Sequence, residues 1–465
     1  MKKEFVKVNR DNIINRGYLG SCGVYHGFAY MPQPEEMGLI GEIREREFKR
    51  VDAMRLKVAR TWFRPDYSQD MIKRFNMWLE KMQELGVDVA LQSAWWFTKD
   101  VWYFAHEKHD DPDYTSSIEN FKLCCAKTAA WIAKALEYFI VVKGYTHIKY
   151  LVLFTEPTSY ESGPLPDGVS LLQAYEICCR MIHEKLIEFG LRDKIKLMGP
   201  NGVFISHEDK QLSYAIEHMN DIIDIYSMHT YAWANSSWMK NPDFVMSDYD
   251  GWLRHAKYLR AMVAPTGKQL WFDEYGLSAI SEVGEKHRAS PLYGNFIAQA
   301  NTAFMNGGLM GSFIWLLFDQ KYFWDTTNND SFHNGVHRWG TAYMPGDDVP
   351  EPENVRPSWY VLSLLSRFMG MENVYETVFD GDICASSCGS ADGKELSVLI
   401  VNRSDESKTV ACDAEAVKMT AYIYDPATVE CSPDKLLLAP SGEVGGTSFE
   451  ITLPARGVAV LTTLG

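Results

Sequence analysis

The 465-residue chain carries 46 Lys and Arg against 61 Asp and Glu, a formal net charge of −15. Its 46% hydrophobic and 23% charged residues exclude an intrinsically disordered polypeptide, and a chain of this size can bury a core without a disulfide or metal staple. The acidic balance speaks against a nucleic-acid partner, which would demand clustered Lys and Arg.

The chain opens Met1-Lys2-Lys3-Glu4-Phe5, a basic start with no apolar stretch or small-residue cleavage site behind it. A cytoplasmic location is the expectation. Residues 1–12 have no place in the fold that follows, and Phe5–Asn12 is expected to add a strand to the C-terminal domain. From about residue 17, short apolar runs alternate with longer helical ones. Strands are predicted at Tyr18–Gly23, Val58–Phe63, Val87–Ser93, Tyr150–Phe154, Ile195–Gly199, Ile222–Met228, Gln269–Phe272 and Gly311–Leu317. Between them, Gln69–Leu85 sets Met71, Ile72, Phe75, Trp78, Leu79 and Met82 on one helix face. Ile118–Val142, Leu171–Phe189 and Tyr293–Met305 repeat the pattern, and Gly307-Gly308 stops the last of them.

Eight strands, each followed by a helix, predict an α/β fold of the (β/α)8, or TIM-barrel, type over residues 13–368. A doubly wound sheet would place a Gly-rich phosphate turn after the first strand, and Gly20-Ser21-Cys22-Gly23 does not fit one. After the helix at Pro357–Met369 the character changes. Short alternating strands follow at Glu395–Val401, Thr409–Cys412, Met419–Tyr424, Thr447–Leu453 and Val458–Leu464. Residues 369–465 therefore read as a small all-β sandwich.

The longest apolar runs, such as Phe313–Phe318, fall far short of the roughly 20 residues of a membrane span, so no membrane partner is expected. The nine cysteines are odd in number and include the adjacent pairs Cys124-Cys125 and Cys178-Cys179 on helical stretches. Buried thiols are expected rather than a disulfide framework or a zinc site.

In a barrel of this kind the chemistry lies at the C-terminal ends of the strands. The fourth predicted strand ends Leu153-Phe154-Thr155-Glu156-Pro157, and the seventh ends Trp271-Phe272-Asp273-Glu274-Tyr275-Gly276. Each sets a carboxylate at the barrel rim. A single such Glu is ordinarily a solvated loop residue; two facing one cavity suit acid–base chemistry. Cleaving a glycosidic bond with retention needs two carboxyl groups about 5–5.5 Å apart, one protonated to donate to the leaving oxygen and one ionised to attack. Like charges that close separate the two pKa values. Asp273, next to Glu274, is expected to point the opposite way along an extended strand and to be structural.

The barrel with these two glutamates resembles glycoside hydrolase clan A, whose retaining enzymes carry acid/base and nucleophile on strands four and seven. The barrel-plus-sandwich layout is similar to families 39, 30, 51 and 79, and the rim of the barrel to family 5. The resemblance implies Glu156 as acid/base and Glu274 as nucleophile. It implies that Arg60, in Val58-Ala59-Arg60-Thr61-Trp62, pairs with the nucleophile. His229 and Tyr231, in Met228-His229-Thr230-Tyr231, match the His-x-Tyr after strand six, where the Tyr bonds the nucleophile. Trp315 matches the strand-eight Trp that floors the sugar subsite, and Arg356-Pro357-Ser358-Trp359 is a scaffold match. Thr155 departs from the pattern. Most clan members place Asn there to donate to the sugar 2-hydroxyl; Thr can donate one hydrogen bond but is shorter and has no amide, so the resemblance does not fix the group recognised at C2.

Independent of that resemblance, 14 Trp suit a glycan cleft, because sugar C–H faces stack on aromatic planes. Core packing is the plain alternative for each. Trp95, Trp96 and Trp324 are the candidate platforms. His333 and His337, in a long polar segment after strand eight, are candidate substrate contacts. His106-Glu107-Lys108-His109 is not a His-Glu-x-x-His motif and reads as a solvated loop, which leaves a metal-dependent barrel hydrolase little support. No Gly-x-Ser-x-Gly elbow is present.

The expected function is a retaining β-glycosidase, exo-acting on oligosaccharides, with no metal or organic cofactor. An inactive carbohydrate-binding protein on the same scaffold and a transglycosylase are the alternatives.

Overall fold

The computed structural model of the chain describes residues 3–25, 42–64, 67–92, 97–105, 110–157, 163–203, 210–232, 249–277, 282–321, 336–337, 339–343 and 354–464. After β1 (Glu4–Arg16), eight parallel strands close a barrel. They are β2 (Ser21–Val24), β3 (Val58–Trp62), β4 (Asp88–Gln92), β5 (Ile148–Val152), β6 (Lys196–Val203), β7 (Ile225–Tyr231), β8 (Gln269–Gly276) and β9 (Gly311–Ile314). β9 pairs back onto β2, Ser312 opposite Ser21, so no edge is left open. Both faces of these strands are covered, which is why they read as nearly unbroken apolar runs. Inside the barrel, Val24, Val58, Trp62, Ala90, Val152, Met198, Ile225, Trp271 and Phe313 pack as one cluster.

The helices outside obey local rules. Gln69–Glu84 starts at Ser68, whose hydroxyl accepts from the Met71 amide, and buries Phe75, Trp78, Leu79 and Met82. Leu171–Glu188 opens with a full capping box of Ser170 and Gln173. Leu292–Asn306 is different: every residue from Tyr293 to Met305 is buried. It and Ser358–Phe368 lie between the barrel and the C-terminal sheet, so they are covered on all sides.

After the short pair β10 (Gln320–Lys321) and β11 (Val336–His337), the C-terminal region forms β12 (Asn373–Phe379), β13 (Ile383–Gly389), β14 (Leu396–Asn402), β15 (Lys408–Tyr424), β16 (Gly442–Leu453) and β17 (Val458–Thr462). With β1 they form a seven-stranded sheet in the order β1-β12-β13-β14-β17-β15-β16. β1 pairs antiparallel with β12 and parallel with β15, so the sheet folds over on itself. Alternate residues build two cores. Leu396, Val398 and Ile400 face the interior of the β domain, and Leu399 and Val401 face the barrel helices. Thr409–Cys412 and Met419–Tyr424, predicted as two strands, belong to one long β15 carried past two register shifts against β16. Cys384 and Cys388 lie on the barrel-facing side of β13; all nine cysteines are free thiols and eight are buried. No helix among the described residues is long and apolar enough to cross a membrane.

Several strand ends differ from the sequence prediction and matter for the site; β6, for one, runs on to Val203 and carries Asn201. β7 runs on to Tyr231 and β8 to Gly276, which carries His229, Tyr231, Asp273 and Glu274 inside strands. β5 stops at Val152, which leaves Phe154 to Glu156 as irregular backbone.

Candidate active site

Glu274 is almost fully buried, and its carboxylate is held from two sides. Arg60 Nη1, from β3, donates to Oε1 at 2.8 Å, and the Tyr231 hydroxyl, from β7, donates to Oε2 at 2.6 Å. The Arg60 fork is itself fixed. Nη1 also donates to the Asp273 carbonyl at 2.8 Å, and Nε and Nη2 both reach Gln92 Oε1 at the end of β4. Burial pushes the Glu274 carboxyl above its ordinary value; His229 and Arg60 pull against that, and the nearby Glu156 adds to it. Burial, then the charges of Glu274 and Glu156, push the Tyr231 phenol well above its ordinary value, so it remains a donor.

Asp273 does not point away from Glu274, contrary to the alternation expected of an extended strand. The register between β7 and β8 explains why. Met228 lies opposite Phe272 and His229 opposite Glu274, so Asp273 is an extra residue and the strand bulges. Asp273 Oδ2 lies 3.6 Å from Arg60 Nη1, and Oδ1 lies 3.7 Å from His229 Nε2. The bulge thus turns two consecutive carboxylates onto the same cations.

His229 joins the halves of the site. Its Nδ1 is 2.6 Å from Glu156 Oε1 and 3.3 Å from Glu274 Oε2, and its Nε2 is 2.7 Å from Asn201 Oδ1. Burial alone would lower the imidazole pKa. The charges of Glu274 and Asp273, with the hydrogen bond to Glu156, outweigh it and carry it up to about 10. His229 is therefore an imidazolium at neutral pH, donating from both nitrogens.

Glu156 is only 7% exposed. It sits at φ +40°, with Phe154 at φ +33° and Asn201 at φ +60°, all in the left-handed region that favours Gly. Asn201 lies at a second bulge, between Pro200 opposite Ser227 and Gly202 opposite Met228. Its carbonyl accepts from the Glu156 amide at 2.9 Å, and its Nδ2 donates to the Phe154 carbonyl at 3.1 Å. These contacts hold a strained turn that aims Glu156 inward. Sequence reading missed Asn201; the turn signal Gly199-Pro200-Asn201-Gly202 at the end of a strand marks it. Thr155 Oγ1 is buried and has no hydrogen-bond partner among the described residues.

Trp315 is half-buried at the end of β9. It meets Trp62 edge-on at 5.5 Å and Trp339 at 6.1 Å. Its peptide bond to Leu316 is cis. Arg288 donates to the carbonyls of Leu277, Trp315 and Trp339, tying the ends of β8 and β9 together. Trp95, Trp96, Trp324 and His333 lie outside the described residues, as do His106 and His109. His337 is described only as backbone, paired in β11 with Gln320.

Glu156, His229 and Glu274 offer atoms that all lie within 4.8 Å of one another. A cation could use that spacing. Arg60 and the His229 imidazolium already bring positive charge to these carboxylates, so no metal is assigned there.

No family model matches the chain, and no curated protein matches it in sequence. Its fold is similar to solved structures over nearly the whole length. The glycoside hydrolase family 30 subfamily 8 xylanase Xyn30A from Clostridium acetobutylicum aligns over 98% of this chain and 99% of its own, with a TM-score of 0.63 at 11% identity. The thermostable GH51 alpha-L-arabinofuranosidase from Thermotoga petrophila RKU-1 aligns over 99% and 100%, with a TM-score of 0.65 at 13% identity. Another arabinofuranosidase aligns over 99% and 100%, with a TM-score of 0.66 at 14% identity. At such identities the likeness is one of fold: the chain shares with these structures a (β/α)8 barrel followed by a β-sandwich domain.

Proposed function

We propose that the protein is a retaining glycoside hydrolase acting on β-glycosides of short oligosaccharides. One observation carries the reading. Oxygens of Glu156 and Glu274 approach within 4.8 Å, inside a buried cluster. A retaining pair stands about 5–5.5 Å apart, whereas an inverting pair needs roughly 6.5–9.5 Å to admit a water.

Glu274 is the nucleophile. Arg60 and Tyr231 orient its carboxylate and favour the ionised form that attack requires. Glu156 is the acid. Its Oε1 is engaged by His229, which leaves Oε2 for the leaving oxygen. In the first step Glu274 bonds to the anomeric carbon, the bond to the leaving oxygen breaks, and that oxygen takes the Glu156 proton. In the second, Glu156 takes a proton from water, the water oxygen bonds to the anomeric carbon, and Glu274 leaves with its electron pair. In this reading Trp315 floors the subsite, and the Thr155 hydroxyl, which has no hydrogen-bond partner among the described residues, bonds the sugar at C2.

The test is hydrolysis of a panel of aryl glycosides (galactoside, glucoside, xyloside, mannoside, fucoside, glucuronide and arabinoside), with Glu274→Ala alongside. Turnover is expected to fall by about 10⁴-fold or more in the variant. NMR of the first-formed product is expected to show retained anomeric configuration. Inversion, or wild-type turnover by Glu274→Ala, sinks the reading. Sugar binding without cleavage of any glycoside would replace the enzyme with a carbohydrate-binding protein. Glycosyl transfer to an added alcohol at the expense of hydrolysis would make it a transglycosylase.

A further inference from the structure

The two-glutamate mechanism gives Asp273 no task, yet its carboxylate is fully buried at the centre of the site. Neither of its oxygens has a hydrogen-bond partner among the described residues. What it has is charge: Arg60 Nη1 at 3.6 Å and His229 Nε2 at 3.7 Å. A buried carboxylate without hydrogen bonds is costly unless opposite charge compensates it. The bulge that brings Asp273 inward sits in the strand that also carries Glu274.

We propose that Asp273 is a positioning residue that fixes the number of protons in the buried cluster, so that Glu156 keeps the proton it must deliver. The inference rests on the retaining reading above and deepens it.

The argument is one of charge. The cluster holds two cations, Arg60 and His229, and three carboxyl groups, Asp273, Glu274 and Glu156. With Asp273 and Glu274 as the two anions, the cluster is neutral when Glu156 is protonated. That is the state an acid needs. When Glu274 forms its bond to the anomeric carbon it loses its charge, and Glu156, having given up its proton, gains one. There are again two anions for two cations. Hydrolysis restores Glu274 as the anion and returns a proton from water to Glu156. At no stage does the buried cluster have to hold net charge.

Among the described residues, the other groups facing the cluster do not alter the count. Gln92 and Asn201 are neutral amides on Arg60 and His229. Burial first, then nearby acidic groups, pushes the phenols of Tyr231 and Tyr175 well above their ordinary value, so both stay neutral. Arg288 directs its donors to backbone carbonyls. Without Asp273, a protonated Glu156 would leave one cation in excess. The proton released is then that of Glu156. A carboxyl group is intrinsically the stronger acid, and the His229 proton lies between two carboxylates.

The test compares the wild type with Asp273→Asn and Asp273→Ala, each checked for folding by its thermal transition. Glu156 is followed by carbon-13 NMR of protein labelled at glutamate Cδ, with its resonance assigned by Glu156→Gln. Loss of the Asp273 charge is expected to make Glu156 release its proton at lower pH in both variants than in the wild type. The basic limb of kcat/KM on an aryl glycoside with a poor leaving group should move down with it, which loss of packing alone would not do. A Glu156 titration that is the same in the folded variants as in the wild type overturns the proposal. The two readings fail separately. If the titration moves while Glu274→Ala still hydrolyses glycosides, the charge coupling stands and the retaining mechanism falls. If Glu274→Ala is dead and the titration is fixed, the reverse holds.

Discussion

The Arg60 guanidinium meets the Glu274 carboxylate at 2.8 Å, across the barrel from β3 to β8, with both side chains buried. Neither group would be stable there alone. Burial raises the Glu274 pKa, and Arg60 is one of the charges that hold it back. Arg60→Met removes that charge and the fork that binds Gln92. The variant is expected to lose about 100-fold or more in kcat/KM. Its acidic limb should move to higher pH, because activity needs Glu274 ionised and is lost as pH falls through its raised pKa. A pH–rate profile with an unmoved acidic limb counts against Glu274 as the ionised nucleophile.

Tyr231 makes a smaller claim on the same carboxylate. Its hydroxyl donates to Oε2 at 2.6 Å, a hydrogen bond to a charged group worth roughly 1.5–3 kcal/mol. Tyr231→Phe keeps the ring and removes only that donor. A fall of about ten- to 100-fold in kcat is expected, with KM changed much less. A loss confined to KM would show that Tyr231 serves binding and not the nucleophile.

These two contacts have a simple origin in the sequence. Arg60 lies in the middle of β3, and Tyr231 and Glu274 lie at or near the ends of β7 and β8; closing the barrel brings the three side chains together. The eight strands were legible because both faces of each are buried, so the runs are unbroken. Asp273 and Asn201 were not legible. Both occupy bulges, where one strand carries an extra residue and strict alternation fails. Nothing in the composition of a strand announces which of its residues will be the extra one. The same limit split β15 in two, since its register shifts interrupt the pattern but not the strand. β13 is harder to read because Cys384, Ser386, Ser387 and Cys388 lack the bulk that marks a strand, although they are buried between the β domain and the barrel helices or within the sheet.

Glu156→Ala separates the acid from the nucleophile. With phenyl glycosides, which need a proton on departure, the rate is expected to fall by about 10²–10⁴-fold. A dinitrophenyl glycoside leaves without one, so its first step should be much less affected and the glycosyl-enzyme should accumulate. Added azide, which needs no general base, is expected to restore turnover and give a glycosyl azide of retained configuration. Equal losses for both leaving groups, or no effect of azide, would remove Glu156 from the acid/base role.

His229 makes the cluster pH-dependent in stability as well as in rate. Against the burial that would lower it, Glu274 and Asp273 raise the imidazole to about 10, above the ordinary value of 6.5 it regains on unfolding. A group whose pKa rises on folding stabilises the native state in full below its unfolded pKa and ceases to do so as pH climbs through the folded one. The protonated ring therefore contributes fully below about pH 6.5, progressively less above it, and nothing beyond about pH 10. His229→Gln removes the charge while keeping a donor for Asn201 or Glu156. Urea unfolding of both proteins should show the wild type ahead by the widest margin near neutrality or below, with the margin closing toward alkaline pH. A margin that is flat or widens with pH would mean that His229 is buried neutral, and that the carboxylates around it are not balanced by its charge.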